Sequence, residues 1–141
     1  MKKFISHSPE ETEQFAAQFS LGLQGGEVIA YRGSMGMGKT TFTRGLVHGL
    51  GADNIVSSPT FALVNEYDTP RLTVYHFDMY RITSWDDLYS TGFFDYLDTG
   101  AVLLIEWSEN IEGALPDSTI IVELSQGEND DERIITIEDL A

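Results

Sequence analysis

Apolar positions along the chain change period several times, and each change marks an element. Ser8-Pro9-Glu10-Glu11 opens a helix: Ser8 caps, Pro9 suits the first helical position and Glu11 falls three residues after the cap. Thr12, Phe15, Ala16, Phe19 and Leu23 then share one face, and Gly25-Gly26 ends the run. Val28–Tyr31 is a short unbroken apolar stretch between Gly26 and Gly33, the pattern of a buried strand. A second helix starts near Lys39, buries Phe42, Leu46, Val47 and Leu50, and stops at Gly51. Gly45 and Gly49 lie inside it at a cost of about 1 kcal/mol each relative to alanine, which close packing on the sheet would explain. Phe61–Tyr67 and Leu72–Phe77 read as strands around a turn at Asp68-Thr69-Pro70-Arg71. Ser84-Trp85-Asp86-Asp87 caps a short acidic helix that runs to about Tyr96. Ala101–Ile105 is apolar at every position, as in a strand covered on both faces. Ile120–Leu124 and Ile134–Ile137 are the last strands, separated by a polar loop from Ser125 to Glu132. With neither an internal repeat nor a linker, the pattern predicts one domain over residues 1–141. It is a three-layer α/β domain with a largely parallel central sheet and an antiparallel portion.

Composition narrows the classes open to such a domain. At 141 residues and 42% hydrophobic content, the chain has enough apolar side chains for a core. The absence of cysteine excludes disulfides, thiolate metal sites and a cysteine nucleophile. No apolar run approaches a membrane span, and the basic start Met1-Lys2-Lys3-Phe4-Ile5 has no apolar stretch behind it. A soluble, cytoplasmic protein is expected. The net charge is −15, distributed as +1 over residues 1–50, −6 over 51–100 and −10 over 101–141, where Arg133 is the lone basic residue. Such a surface repels nucleic-acid phosphate, since affinity there comes from Lys and Arg displacing counterions. Autonomous tRNA or DNA binding is not expected. A basic protein partner is compatible with this charge, and so is plain solubility.

The strongest chemical signal lies between the Val28–Tyr31 strand and the helix that follows. Gly33-Ser34-Met35-Gly36-Met37-Gly38-Lys39-Thr40 matches G-x-x-x-x-G-K-[ST] at every fixed position, with a strand before it and an amphipathic helix after it. Glycines allow the backbone to wrap a polyphosphate, and successive N–H groups join the helix N-terminus in an anion nest. Lys39 is placed to reach the β- and γ-phosphates and the Thr40 hydroxyl to bind magnesium. Thr41 adds a second hydroxyl, either an α-phosphate contact or an ordinary first-turn residue.

A phosphate loop needs a carboxylate near the metal, usually at the end of a buried strand. Glu106 follows the Ala101–Ile105 run; the usual aspartate is one methylene shorter, so Glu106 either binds metal directly or orients water. Trp107 comes next, as a nucleotide contact or a rim aromatic. In His76-Phe77-Asp78-Met79-Tyr80-Arg81, strand alternation puts His76 and Asp78 on one face. Asp78 is a candidate for positioning the attacking water or completing the magnesium shell, His76 for a hydrogen-bonded support, and Arg81 for pairing with phosphate, Asp78 or Asp86. Ser57-Ser58-Pro59-Thr60-Phe61 sits where nucleotide switches carry a mobile loop, or is a plain connection. No N-K-x-D or D-x-x-G guanine-nucleotide signature follows, which favours ATP over GTP, and the length leaves no room for the lid of a metabolite kinase.

Gly33–Thr41 with Phe42-Thr43-Arg44-Gly45-Leu46, Ser58-Pro59-Thr60-Phe61, His76–Arg81 and Leu104-Ile105-Glu106-Trp107 occur in an order and spacing that resembles the bacterial TsaE (YjeE) family, over about Ser8 to Ile137. The loop alone is shared by many families; the combination is specific. The resemblance implies a small P-loop ATPase of tRNA threonylcarbamoyladenosine biosynthesis that docks on a TsaD-type transferase and its TsaB-type partner. There, ATP hydrolysis supports repeated turnover. It implies that Lys39 and Thr41 bind phosphate, that Thr40 and Glu106 bind magnesium, and that Asp78 and Trp107 are required near the nucleotide. Glu11, Thr12 and Arg133 align loosely with nucleotide-contacting positions at the family's two ends. Two other readings stay open: a stand-alone P-loop phosphotransferase, and a non-catalytic module whose docking is gated by ATP.

Overall fold

The computed structural model describes residues 2–33, 36–52 and 64–139. Ser34, Met35, the Ser57–Phe61 segment and the first part of the strand expected over Phe61–Tyr67 lie outside the described residues. In chain order the elements are β1 (Lys2–Ser6), α1 (Pro9–Ser20), β2 (Val28–Arg32), α2 (Lys39–Gly49), β3 (Val64–Asp68), β4 (Thr73–Asp78), α3 (Trp85–Ser90), α4 (Phe93–Tyr96), β5 (Val102–Glu106), a 3-10 segment (Ser108–Ala114), β6 (Ile120–Gln126) and β7 (Arg133–Asp139).

All seven strands belong to one sheet in the order β1-β7-β6-β2-β5-β4-β3. The four central strands β6, β2, β5 and β4 are parallel, with Ala30 beside Ile105 and Ile121, and Phe77 beside Ile105. The antiparallel portion lies at both edges, β3 against β4 and the β6–β7–β1 meander. This is the predicted α/β architecture, and the parallel centre explains why β5 is buried at every residue.

Alternation along the central strands divides the core in two. Ile29, Tyr31, Val74, Val102 and Leu104 point toward α1 and α2, where Phe42, Leu46 and Ala16 meet them. Val28, Phe77, Leu103 and Ile105 point to the other face, covered by Ile82, Leu88, Phe93 and Ile111. Glu106 continues the Val102–Leu104 parity, and Asp78 continues that of Val74 and His76. Both therefore lie on the α2 side of the sheet.

Four details differ from the sequence reading. β1 is a strand, paired with β7 from Lys2–Ile137 to Ser6–Arg133. α1 stops at Ser20 with Leu21 as its C-cap, before Gly25-Gly26, and Leu23 is buried beyond the helix. The helix expected up to Tyr96 is two short ones, broken where Gly92 takes φ 77°. Gly45 and Gly49 face α1 and not the sheet: a Cβ at Gly45 would run into the Glu13 backbone, and one at Gly49 into Ala17. Gly45→Ala, which at an open helical site gains about 1 kcal/mol, is therefore expected to destabilise the chain, since overpacking costs about 1–3 kcal/mol. A urea unfolding curve checks this, and an unchanged or raised midpoint would refute the glycine seam. Among the described residues, no helix is long and apolar enough to cross a membrane.

Candidate functional site

α2 begins differently from the other capped helices. α1 and α3 start with serines, Ser8 and Ser84, whose hydroxyls accept from the N–H groups of Glu11 and Asp87. α2 starts at Gly38, at φ 102°, with no side-chain cap and no acidic residue in its first turn. Its first N–H groups carry the positive end of the helix dipole, and Gly38 has no side chain to cap them. Gly33, at φ 129°, lies so close to β6 that a Cβ would strike the Leu124 carbonyl. Gly33 is thereby held against β6 at the start of the loop, and Gly38 leads into α2 at its end.

Lys39 folds back over this loop. Its Nζ donates to the Gly33 carbonyl at 2.9 Å and lies 3.9 Å from Glu106 Oε1. Thr40, Thr41, Gly38 and Met37 are half-buried along the same turn, and Gly36 is exposed. Beneath them the Thr43 hydroxyl donates to the Lys39 carbonyl at 2.9 Å. With that proton committed, the 2.7 Å contact from Tyr31 has the phenol donating to Thr43 Oγ1. Burial, with a smaller contribution from the Glu106 charge, raises the Tyr31 phenol well above its ordinary range, so it stays a donor.

Glu106 is buried at the end of β5, and its second oxygen, Oε2, lies 2.7 Å from His76 Nε2. Asp78 is its neighbour in register on β4. Asp78 is half-buried, and one of its oxygens accepts from the Tyr80 N–H at 2.9 Å. The two strand ends are tied together: Met79 N–H donates to the Glu106 carbonyl at 3.0 Å, and the Asn110 amide donates to the Met79 and Tyr80 carbonyls at 2.8 and 3.2 Å. Trp107 leaves β5 at φ 60° and ψ 38°, the left-handed region, which costs a residue with a side chain about 1–3 kcal/mol. Its ring stands edge-on to Tyr80 at 4.9 Å, and both rings reach solvent beside Glu106 and Asp78.

The structure thus brings Lys39, Glu106, Asp78 and Trp107 to the mouth of the loop, with His76 behind them. Glu11, Thr12 and Arg133 lie at the same end of the sheet, where β1 and β7 pair at Ser6 and Arg133, and among the described residues their hydrogen bonds go elsewhere than the loop. Glu11 accepts from the His7 N–H at 3.0 Å, and Thr12 is buried with its hydroxyl 2.7 Å from Ser6 Oγ. Arg133 donates to the carbonyls of Asp130 and Glu132 in the β6–β7 loop. Arg81 is exposed and forms no ion pair with Asp78 or Asp86. Tyr31, Thr43 and Asn110, which brace the site, escaped the sequence reading because nothing local distinguishes them from core or loop residues.

The donor set fits a polyphosphate with a hard divalent cation. It combines an uncapped helix N-terminus, one ammonium, adjacent hydroxyls and a strand-end carboxylate. Among the described residues no group of three His, Cys, Asp or Glu could hold a metal by itself. An ion here would take most of its ligands from phosphate oxygens and water, as magnesium does.

Comparison with known proteins gives the family. The family model described as "Threonylcarbamoyl adenosine biosynthesis protein TsaE" matches residues 6–135. The tRNA threonylcarbamoyladenosine biosynthesis protein TsaE of Bacillus subtilis (strain 168) is 38% identical over 134 residues, 95% of this chain and 83% of its own length. The protein of the same name from Rickettsia prowazekii (strain Madrid E) is 40% identical over 124 residues, 87% of this chain and 85% of its own. A crystal structure of Bacillus subtilis YdiB is similar with a TM-score of 0.82 and 34% identity, covering 99% of this chain and 86% of that one. Since the matched span runs from the end of β1 to the middle of β7 and includes the whole phosphate-loop end of the sheet, the chain belongs to the TsaE family.

Proposed function

We propose that the chain, over residues 1–141, is a magnesium-dependent ATPase that serves threonylcarbamoyl transfer to tRNA by acting on a TsaD-type transferase and its TsaB-type partner. The observation that carries the reading is the meeting of Lys39 and Glu106 at the open end of an uncapped helix. The backbone N–H groups from Gly33 through Ser34, Met35, Gly36, Met37 and Gly38 cradle the phosphates, with Thr41 reaching the α-phosphate. Lys39 exchanges its Gly33 carbonyl for β- and γ-phosphate oxygens. Thr40 and Glu106 hold magnesium, which when bound neutralises charge on the β- and γ-oxygens. Asp78, beside Glu106, orients the attacking water. Trp107 and Tyr80 shield that end of the nucleotide, while Glu11, Thr12 and Arg133 lie toward the nucleoside. A cytoplasmic site of action goes with this reading.

The charge supports a division of labour in which the partners hold the RNA. With −15 overall, the chain offers no continuous cationic surface for a phosphate backbone. No arginine is fixed at the loop among the described residues, so docking completes the catalytic set, as in nucleotide hydrolases activated in trans. Phosphate release is expected to be slow from the purified chain and to rise when the transferase pair is added. Labelled tRNA is expected to show no salt-sensitive retention without the partners. Full activity that the pair does not raise would favour the stand-alone phosphotransferase. Nucleotide-dependent docking without hydrolysis would favour the gated binding module.

A further inference from the structure

We propose that His76 is a positioning residue that holds Glu106 in the one orientation able to serve the metal, an inference that rests on the magnesium–ATP reading of the site. A glutamate has one more side-chain torsion than the aspartate usual at such a strand end, so its carboxylate needs a second anchor. His76 supplies it from the neighbouring strand. It pairs in register with Leu104, lies on the same face of β4 as Asp78, and is fully buried. Its Nε2 takes Glu106 Oε2 at 2.7 Å, leaving Oε1 on the Lys39 side, 3.9 Å from Nζ.

The other ring nitrogen shows that packing alone does not account for this histidine. Nδ1 is buried with no hydrogen-bond partner among the described residues, and the ring centroids of Tyr31 and Tyr67 each lie 6.3 Å from that of His76. A stranded polar atom in the core is a cost that an aromatic or aliphatic side chain would avoid. The compensating gain is the charge-assisted bond from Nε2–H to the carboxylate. That bond selects the tautomer with the proton on Nε2 and leaves Nδ1 as a bare acceptor.

The test compares His76→Gln, whose amide nitrogen falls near the place of Nε2, with His76→Phe and His76→Asn, which remove that donor by different routes. Each full-length variant is titrated with a fluorescent ATP analogue in EDTA and then with magnesium, and kcat and the urea midpoint are measured. For the Phe and Asn variants, the magnesium needed for half-saturation is expected to rise about tenfold and kcat to fall about 10–100-fold, the range typical of groups that orient metal ligands. Nucleotide affinity in EDTA should stay unchanged, and the Gln variant should recover most of both losses. Whichever of Phe and Asn folds decides the comparison. Equal magnesium requirements in wild type and the donor-less variants would overturn the proposal, as would a Gln variant as impaired as they are. If both donor-less variants fail to fold, a packing role is indicated and the proposal falls. Wild-type protein that binds the analogue without any magnesium dependence would instead overturn the underlying reading together with it.

Discussion

Lys39→Ala is expected to lower ATP hydrolysis by at least about 100-fold, the loss typical when a preorganised charge or donor is removed from a reacting oxygen. The chain carries 8 Lys and Arg residues among 141, and Lys39 is the basic side chain drawn in between loop and strand end. Folding should suffer little: Glu106 loses an ammonium 3.9 Å away but keeps its closer bond from His76 at 2.7 Å. The ammonium's partner within the loop is the carbonyl of Gly33, an exposed residue that water can satisfy once the side chain is gone. The urea midpoint should stay near wild type while phosphate release collapses. Hydrolysis at the normal rate would sink the assignment of the loop.

Glu106→Gln should separate binding from turnover. Glutamine keeps the length and leaves a carbonyl oxygen to accept from His76, but it removes the negative charge. ATP should still bind through the loop, magnesium should bind more weakly, and turnover should fall by about 100-fold or more, since the charge on the metal side is what is lost. The amide still accepts from His76, and Lys39 keeps its bond to the Gly33 carbonyl, so the unfolding midpoint should stay near wild type. A stable protein with poor turnover is the expected pair of results. A variant that unfolds, or one that hydrolyses normally, would make Glu106 a structural acid.

The site residues legible in the sequence were those whose signal is local or periodic. The phosphate loop is a contiguous motif. β5 is an unbroken apolar run ending in one acid, and alternation along β4 places His76 and Asp78 together on one face. What remained hidden depends on partners far along the chain. β1 has too few apolar residues to declare itself and exists because β7 offers an edge at Ile134–Ile137. Gly45 and Gly49 pointed to a close approach on the sheet, whereas the element they meet is the helix α1, which no local signal gives. The acidic stretch from Ser84 read as one helix to about Tyr96, whereas the positive φ at Gly92 ends one helix and starts another. The bond between His76 and Glu106 joins residues 30 apart, and no spacing rule announces it.

The left-handed backbone at Trp107 bears on how this protein would evolve in the laboratory. Glycine takes that conformation freely, and relieving it is worth about 1–3 kcal/mol. A campaign rewarding heat tolerance alone therefore has a downhill route at position 107, where the indole's ring partner is the exposed Tyr80. The same step strips the mouth of the site of its larger ring. Thermal screening of this chain without an activity screen would select against an aromatic at the mouth of the site, because robustness and turnover favour different side chains just after β5.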